Sequence, residues 1–313
     1  MIVIDAGARF GPHPSWNELF TKGLCTIHAF EPEIEEFSYL QKIFKDNPKY
    51  IVNNCALGAK DEFLTLNILN HKGQSSFLTP NISSNWFGTI RQNDSIITNK
   101  QKAVKVVKAE DYIIQAIPPP PQALFLKTDT EGFDLNVIKG FGSLLQSLFA
   151  IRTEILFENS FHNASSFSEL FEFLVNNNFR LANLDYWGKG SPQSFFVPHG
   201  KPFGICSGSE AVFIRNDEFY LALEDQVFIQ FVAFLFCNNL HDYAASLMER
   251  KSTLNIADSK YLEFVEAKYL LLAKTFETTS IISFEKAISL YSAFFGKDFP
   301  GNHMFWRYVN SIR

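Results

Sequence analysis

The sequence predicts an α/β fold: a doubly wound, mostly parallel sheet with an antiparallel edge hairpin, followed by an all-α C-terminal domain. Two apolar runs predict the sheet. Ile2–Ile4 and Ala123–Leu126 each lead into acidic residues and a glycine, as buried parallel strands do before a tight turn and a helix. Beyond Phe219 glycine nearly disappears and apolar residues recur at helical spacing, which predicts a helical domain over residues 216–313 and leaves residues 1–215 for the sheet.

Composition excludes several functional classes. The chain has 313 residues with a formal net charge of −5 and no basic cluster, so nucleic acid is excluded as the main partner. No apolar run approaches the roughly 18 residues that a membrane span requires, and no signal peptide precedes the first strand. The four cysteines are widely spaced without a C-x-x-C pair, so we expect reduced thiols in a cytoplasmic protein.

The turn after the first strand favours a cofactor site. Asp5 stands at the carboxyl end of the strand, where open α/β sheets bind ligands, and Gly7 and Gly11 can adopt a positive φ beside a bulky ligand. A dinucleotide fingerprint carries glycine at the position of Asp5, because backbone amides there hold a pyrophosphate. A carboxylate suits the cationic amino-acid end of S-adenosylmethionine instead, so we expect Asp5 to accept hydrogen bonds from that cofactor.

The next two strands add residues to the same site. Cys25–Phe30 predicts a second strand that ends at Glu31, close to the ~20-residue interval at which an acid meets the ribose hydroxyls of a cofactor. Tyr50–Leu57 predicts a third strand, and the small Ala56 near its end leaves room for an adenine ring. These positions predict a cofactor cleft along one edge of the sheet.

The middle of the chain predicts further strands around a long polar segment. Glu62–Ile68 alternates as a strand does, and Val104–Val107 predicts a short one. Between them, the polar stretch from Gly73 to Lys102 predicts a long loop that could contact substrate or lie exposed. The edge hairpin is predicted from Phe179–Leu184 and Ala211–Arg215.

A second acidic block follows the strand at Ala123–Leu126. Asp129 and Glu131 come at the end of this strand, so we expect them on the same edge of the sheet as Asp5. Carboxylates that converge need a compensating cation, which the cofactor, Lys127 or a divalent metal could supply. No H-x-x-x-H or equivalent spacing supports a metal, so no metal ligand is predicted.

These motifs resemble those of the FkbM family of S-adenosylmethionine-dependent methyltransferases. The resemblance runs from about Ile2 to Arg215, and its most specific part is the block LKTDTEGFD at residues 126–134. It implies a Rossmann-like methyltransferase sheet and transfer of a methyl group to a hydroxyl of a sugar, glycan or natural product. Further matching positions are VIDAGA at 3–8, FEP at 30–32, CALG at 55–58, SS at 75–76, Glu154 and EAVFI at 210–214.

The resemblance and the motif residues together give the predicted site. The predicted cofactor contacts are Asp5, Gly7, Ala8, Gly11, Glu31, Pro32, Ala56 and Asp129. Asp129 and Glu131 would stand at the reacting end, where methyl transfer needs alignment and a base for the incoming hydroxyl. The predicted catalytic residues are Asp129, Glu131 and His162, and His13 is a further candidate base.

A non-catalytic protein stays open as an alternative. Arg9 stands where members of the family usually carry Asn, and we expect members to carry sequence ahead of the first strand. The chain would then be a cofactor-binding or scaffolding protein whose helical residues 216–313 bind a protein partner or a second copy of the chain. Ala244–Leu247 and Ala287–Leu290 are similar, which suggests a weak helical repeat.

Overall fold

The chain divides into two compact units, residues 1–216 and residues 217–313. The structure is a computed structural model that describes residues 1–89, 98–117, 123–190, 205–251, 256, 259–279 and 281–300. The first unit carries strands and helices, and the second carries helices. Within those ranges, no helix combines the length and the apolar character needed to cross a membrane.

The first unit alternates strands and helices along the chain. Its strands are β1 (Ile2–Ala6), β2 (Thr26–Phe30), β3 (Tyr50–Asn53), β4 (Ala56–Gly58), β5 (Glu62–Leu69), β6 (Thr79–Pro80), β7 (Thr98–Lys108), β8 (Leu124–Thr128), β9 (Leu148–Leu156), β10 (Phe161–His162), β11 (Arg180–Gly190) and β12 (Ile205–Ile214). Its helices are α1 (Pro14–Thr21), α2 (Ile34–Ile43), α3 (Asn85–Thr89), α4 (Ala109–Ala116), α5 (Asp134–Lys139) and α6 (Phe167–Asn176).

Seven strands form the main sheet in the order β11-β12-β9-β8-β1-β2-β3. The strands from β9 to β3 run parallel, whereas β12 is antiparallel to β9 and β11 is antiparallel to β12. The predicted doubly wound sheet with its antiparallel edge hairpin is therefore confirmed. Because β1 lies between β2 and β8, the carboxyl ends of these three strands meet at one edge.

The central strands are apolar because helices cover both faces of the sheet. Every residue of β1 and β8 is buried. On one face, Trp16 of α1 packs on Phe125 with ring centroids 5.4 Å apart. On the other face, Ile4 and Leu126 share an apolar cluster with Val137 of α5. The strand ends are thus held on a rigid core.

The predicted third strand over Tyr50–Leu57 is wrong in its extent. The chain leaves the main sheet at Asn53, and Asn54 donates a side-chain hydrogen bond to Glu31 O at 3.1 Å. Ala56–Gly58 then joins a separate three-stranded sheet with the order β4-β7-β5. The predicted strands at Glu62–Ile68 and Val104–Val107 lie in this second sheet, and the latter is longer than expected.

The predicted long loop from Gly73 to Lys102 contains ordered elements. It includes β6 and α3, and β7 begins at Thr98, so the loop is shorter than expected. β6 pairs with β10 in a two-stranded sheet, with Phe161 opposite Pro80 and His162 opposite Thr79. Residues 90–97 of the expected loop lie outside the described ranges.

The second unit is built around one apolar helix. Its helices are α7 (Asp217–Leu221), α8 (Asp225–Cys237), α9 (His241–Lys251), α10 (Lys260–Thr279) and α11 (Ile281–Phe295). In α8, consecutive residues from Phe231 to Phe236 are buried, and the Phe231 ring stacks on Tyr220 with centroids 3.6 Å apart. Because the Phe residues of this helix are buried, they form a core rather than an exposed face.

Candidate functional site

Backbone hydrogen bonds tie the carboxyl ends of β1, β2 and β8 together. The Gly7 N–H donates to Phe30 O at 3.2 Å, and the Asp129 N–H donates to Ala6 O at 3.0 Å. Gly7 has a φ of +81°, and a Cβ at this position would lie 1.9 Å from Asp129 O. Only glycine therefore allows the turn after β1 to approach the end of β8 this closely.

A cavity that opens to solvent lies beside these strand ends, and its empty space, including the open mouth, is about 740 Å³. Six predicted site residues line it: Gly7, Glu31, Pro32, Ala56, Asp129 and Glu131. Four predicted site residues lie outside this lining: Asp5, Ala8, Gly11 and His162. The edge of the sheet thus gathers most of the predicted site into one place.

Asp5 is buried beneath the cavity and is paired with Lys127. Its carboxylate lies 3.2 Å from the Lys127 ammonium, which also donates to Gly7 O at 2.9 Å and lies 3.5 Å from Asp129. Burial raises the pKa of Asp5, and the positive charge of Lys127 offsets part of this increase. Burial would lower the pKa of Lys127, but Asp5 and Asp129 raise it above its ordinary value. Lys127 is therefore the positive charge at this strand end.

Ala8 and Gly11 shape the turn that follows β1. The Ala8 N–H donates to Phe30 O at 3.1 Å, and its side chain is fully buried. Gly11 has a φ of +84°, and the nearest atoms to a Cβ there would belong to the Phe44 ring at 3.5 Å. The positive φ predicted at Gly7 and Gly11 is present, and the close approach at Gly7 is to the chain itself.

Glu31 follows β2 and faces the cavity. One of its carboxylate oxygens accepts a hydrogen bond from the Glu33 N–H at 2.8 Å. Only 4% of Glu31 is exposed, and this burial raises its pKa to about 7, although the Glu33 N–H and the charge of Arg9 lower it. A buried carboxylate at this position is well placed to accept hydrogen bonds from hydroxyl groups of a ligand.

Asp134 holds the turn that carries Asp129 and Glu131. Its carboxylate accepts hydrogen bonds from the Thr130 N–H at 3.2 Å and the Gly132 N–H at 3.3 Å. Ser76 also donates to Glu131 O at 2.8 Å. Glu131 has a φ of 53°, in the left-handed region that ordinary residues seldom adopt. The backbone bonds hold Glu131 in this conformation, with its side chain against the cavity.

Glu154 of β9 joins Asp129 and Glu131 in a cluster of carboxylates. One carboxylate oxygen from each residue lies within 4.8 Å of the other two. Burial raises the pKa of Glu131 and of Glu154, and the nearby carboxylates raise both further. The residue motifs assigned no role to Glu154, which entered only through the family resemblance. Its position shows that β8 and β9 deliver acidic residues to one point.

Comparison with protein families decides which family the domain represents. The model described as the methyltransferase FkbM domain matches residues 5–181, more than half of the chain. The chain belongs to the FkbM methyltransferase family. The predicted family and enzyme class agree with this match. Among curated proteins, none matches this chain.

Two solved methyltransferase structures show how low the similarity of this chain to known structures is. The methyltransferase FkbM from Methylobacillus flagellatus KT aligns with 12% identity and a TM-score of 0.38, over 68% of this chain and 43% of that chain. This chain therefore spans less than half of the length of that relative. Precorrin-6y C5,15-methyltransferase from Geobacter metallireducens GS-15 aligns with 9% identity and a TM-score of 0.31, over 69% of this chain and 80% of that chain.

The two candidate histidines of the FkbM domain lie apart from the cavity lining. His162 is exposed in β10. His13 caps α1, because its Nδ1 accepts a hydrogen bond from the Ser15 N–H at 3.2 Å, and its Nε2 lies 3.3 Å from a Glu210 oxygen. In this structure the carboxylates Asp129 and Glu131 are the candidate bases that border the cavity.

Sequence reasoning missed the apolar walls of the FkbM cavity and much of its rim. The second sheet contributes Leu57 and Leu66, and the Phe77 and Phe133 rings meet edge to face at 5.0 Å. The alternating pattern of Glu62–Leu69 could have identified Leu66 as an inward-facing residue. Residues that line the cavity and were given no binding role are Ala6, Arg9, Phe10, Phe30, Glu33, Leu57, Leu66, Lys72, Gly73, Ser75, Ser76, Phe77, Thr130 and Phe133.

Proposed function

We propose that this protein is an S-adenosylmethionine-dependent O-methyltransferase that acts on a hydroxyl of a sugar, glycan or natural product. The observation that carries the proposal is the cavity of the FkbM domain, which has Glu31 on one wall and Asp129 and Glu131 on another. Residues 1–215 would form the methyltransferase domain, and residues 216–313 would form a separate helical domain. The acceptor class comes from the family resemblance.

The residues of the cavity fit S-adenosylmethionine. Glu31 would accept the ribose hydroxyls, since one of its oxygens is used by the Glu33 N–H and the other is available. Ala56 and Pro32 are small or flat residues that leave space for the adenine ring, and Phe77 and Phe133 add apolar contact. Asp5, paired with Lys127, would position the end of β1 from below.

The acidic wall would serve the acceptor. When bound, S-adenosylmethionine supplies a methyl group that leaves sulfur as the acceptor oxygen bonds to its carbon, and the sulfur keeps the electron pair. Asp129 or Glu131 would take the hydroxyl proton, because both line the cavity and a carboxylate within reach acts as a general base. The rigid turn held by Asp134 would keep these bases aligned with the acceptor.

The ion pairs of Arg9 are compatible with cofactor binding at this site. Arg9 lines the cavity, but its guanidinium lies 3.1 Å from Glu33 and 3.7 Å from Glu36 at the start of α2. These acids neutralise the cation, so it does not oppose a sulfonium in the cavity. The departure from Asn at this position is therefore compatible with cofactor binding.

Titration calorimetry with S-adenosylmethionine tests the proposal. We expect the Glu31→Gln variant to bind at least about tenfold more weakly than the unchanged protein, because a hydrogen bond to a charged group contributes about 1.5–3 kcal/mol. Glu172→Gln, which removes an exposed carboxylate on α6, is the matched control and should bind normally. No binding to the unchanged protein, or equal binding by Glu31→Gln, would refute the cofactor assignment. Transfer of labelled methyl to sugar acceptors then tests the reaction.

A further inference from the structure

The carboxylate cluster of Asp129, Glu131 and Glu154 has the dimensions of a cation site. One oxygen from each residue lies within 4.8 Å of the others. Ligand oxygens stand about 2.0–2.1 Å from Mg²⁺ and about 2.3–2.6 Å from Ca²⁺, so oxygens on opposite sides of one ion are about 4–5 Å apart. A single hard cation between the three carboxylates would therefore reach all of them after small side-chain movements.

The charge of the cluster is not balanced by the protein. In the described ranges, neither Glu131 nor Glu154 forms an ion pair with a basic side chain, and Lys127 is shared between Asp5 and Asp129. Only 4% of Glu154 is exposed, and its Oε2 has no hydrogen-bond partner. A buried carboxylate oxygen without a partner is costly unless a ligand supplies the missing interaction.

Ser160 gives an independent indication of a ligand. Only 1% of this residue is exposed, and its hydroxyl oxygen also has no hydrogen-bond partner among the described residues. Ser160 lines a small cleft together with Glu131 and Glu154. A hydroxyl that is buried beside two carboxylates suits a bound cation or one of its water ligands.

We propose that Asp129, Glu131 and Glu154 bind one hard divalent cation, such as Mg²⁺. All three donors are oxygens, which favour Mg²⁺, Mn²⁺ or Ca²⁺ over softer metals. Three protein ligands leave other coordination positions for water or an acceptor hydroxyl. This role rests on the proposed methyl transfer, because Asp129 and Glu131 border the larger cavity. A cation there would lower the pKa of an acceptor hydroxyl, and this activation would replace direct proton transfer to Asp129 or Glu131.

Electron paramagnetic resonance of Mn²⁺ tests the site without any turnover. The full-length protein, freed of metal with a chelator, is titrated with Mn²⁺ alone. We expect one tight site per chain, weakened at least about tenfold by Glu154→Gln, since even the loss of an outer partner of a ligand costs 10- to 100-fold. Asp129→Asn changes a partly exposed residue and serves as a second variant if Glu154→Gln fails to fold. Glu172→Gln is again the matched control, and Mg²⁺ should displace the Mn²⁺.

The outcomes separate this proposal from the proposed function. No stoichiometric Mn²⁺ site in the unchanged protein, or equal affinity in Glu154→Gln, Asp129→Asn and Glu172→Gln, overturns the cation site. S-adenosylmethionine binding is measured on the same samples without metal. Mn²⁺ binding without cofactor binding would support the cation site and refute the proposed methyl transfer. Cofactor binding without Mn²⁺ binding would support the cofactor assignment and refute the cation site.

Discussion

In the FkbM domain, the acid at the end of β1 and the acids near the ends of β8 and β9 differ in how their charges are balanced. Asp5, at the end of β1, lies 3.2 Å from the buried ammonium of Lys127. Glu131 and Glu154, next to the ends of β8 and β9, have no ion pair within the described parts of the chain. Asp5 and Glu131 both belong to an apolar strand that leads into acidic residues, so this pattern alone does not separate them.

This difference distinguishes acids that have a partner within the protein from acids for which we propose a bound ligand. Removing the partner of a buried charge is strongly destabilising, and a buried charge without any partner is costly as well. Asp134 lies between these extremes, because two backbone N–H groups satisfy its carboxylate. We therefore interpret Asp134 as structural, and we propose that Glu131 and Glu154 bind a ligand, whereas the cofactor contact predicted for Asp5 stays a prediction.

Replacement of Lys127 should have the largest effect. We expect Lys127→Met to reduce the free energy of unfolding by about 3–5 kcal/mol at pH 8, because it leaves the Asp5 carboxylate buried without a cation. Urea denaturation followed by circular dichroism measures this change. Adding Asp5→Asn to Lys127→Met should recover part of the loss, and a single variant as stable as the unchanged protein would contradict the pairing.

The raised pKa of Glu31 should be detectable in the pH dependence of stability. Its pKa is raised from 4.5 to about 7 in the folded protein, so the folded state holds a proton that the unfolded chain releases. The contribution of Glu31 to stability should fall as the pH rises from about 5 to about 7, by up to about 3 kcal/mol, and then level off. Glu31→Gln should flatten this slope in urea denaturation between pH 5 and pH 8. Asp134, whose pKa burial raises to about 6, contributes with the same sign, whereas His28, whose pKa burial lowers to about 4, contributes with the opposite sign. Equal slopes in both proteins would exclude Glu31 as a cause.

Replacement of Asp134, whose carboxylate accepts two backbone hydrogen bonds, should have an intermediate effect on stability. We expect Asp134→Asn to lower the free energy of unfolding by about 1–3 kcal/mol, because the new amide nitrogen cannot accept the bond that Asp134 receives from Thr130 or Gly132. Denaturation at pH 8 measures it, where the carboxyl, whose pKa burial raises to about 6, is ionised. A loss close to zero would show that these two bonds do not stabilise the turn.

Replacement of Glu154, which has no ion pair in the described ranges, should change stability least and should increase it. Without metal, we expect Glu154→Gln to raise the free energy of unfolding by about 0.5–2 kcal/mol at pH 9, as is common where a residue is kept for function. Burial raises the pKa of Glu154, so the gain should shrink as the pH falls. Chelator-treated samples compared at pH 6 and pH 9 check this. A loss of stability at pH 9 would indicate that Glu154 has a structural partner.

Much of the site could be predicted because its residues directly follow strands that the sequence makes recognisable. Glu31 and Asp129 follow strands whose apolar runs are clear, and the parallel sheet brings those strand ends together. The extent of the third strand was wrong, because alternation does not reveal that the chain changes sheets after Asn53. The apolar walls at Leu66 and Phe77 depend on that second sheet, so they were missed as well.

The sequence by itself determined the doubly wound sheet, the helical second unit and the FkbM family, because these follow from local periodicity and from motifs of adjacent residues. Only the tertiary structure decided which acids are balanced. Lys127 reaches Asp5 because β1 and β8 are neighbours, and Glu154 reaches Asp129 because β8 and β9 are neighbours. Pairing across more than a hundred residues, or between adjacent strands in register, depends on packing that local patterns do not encode.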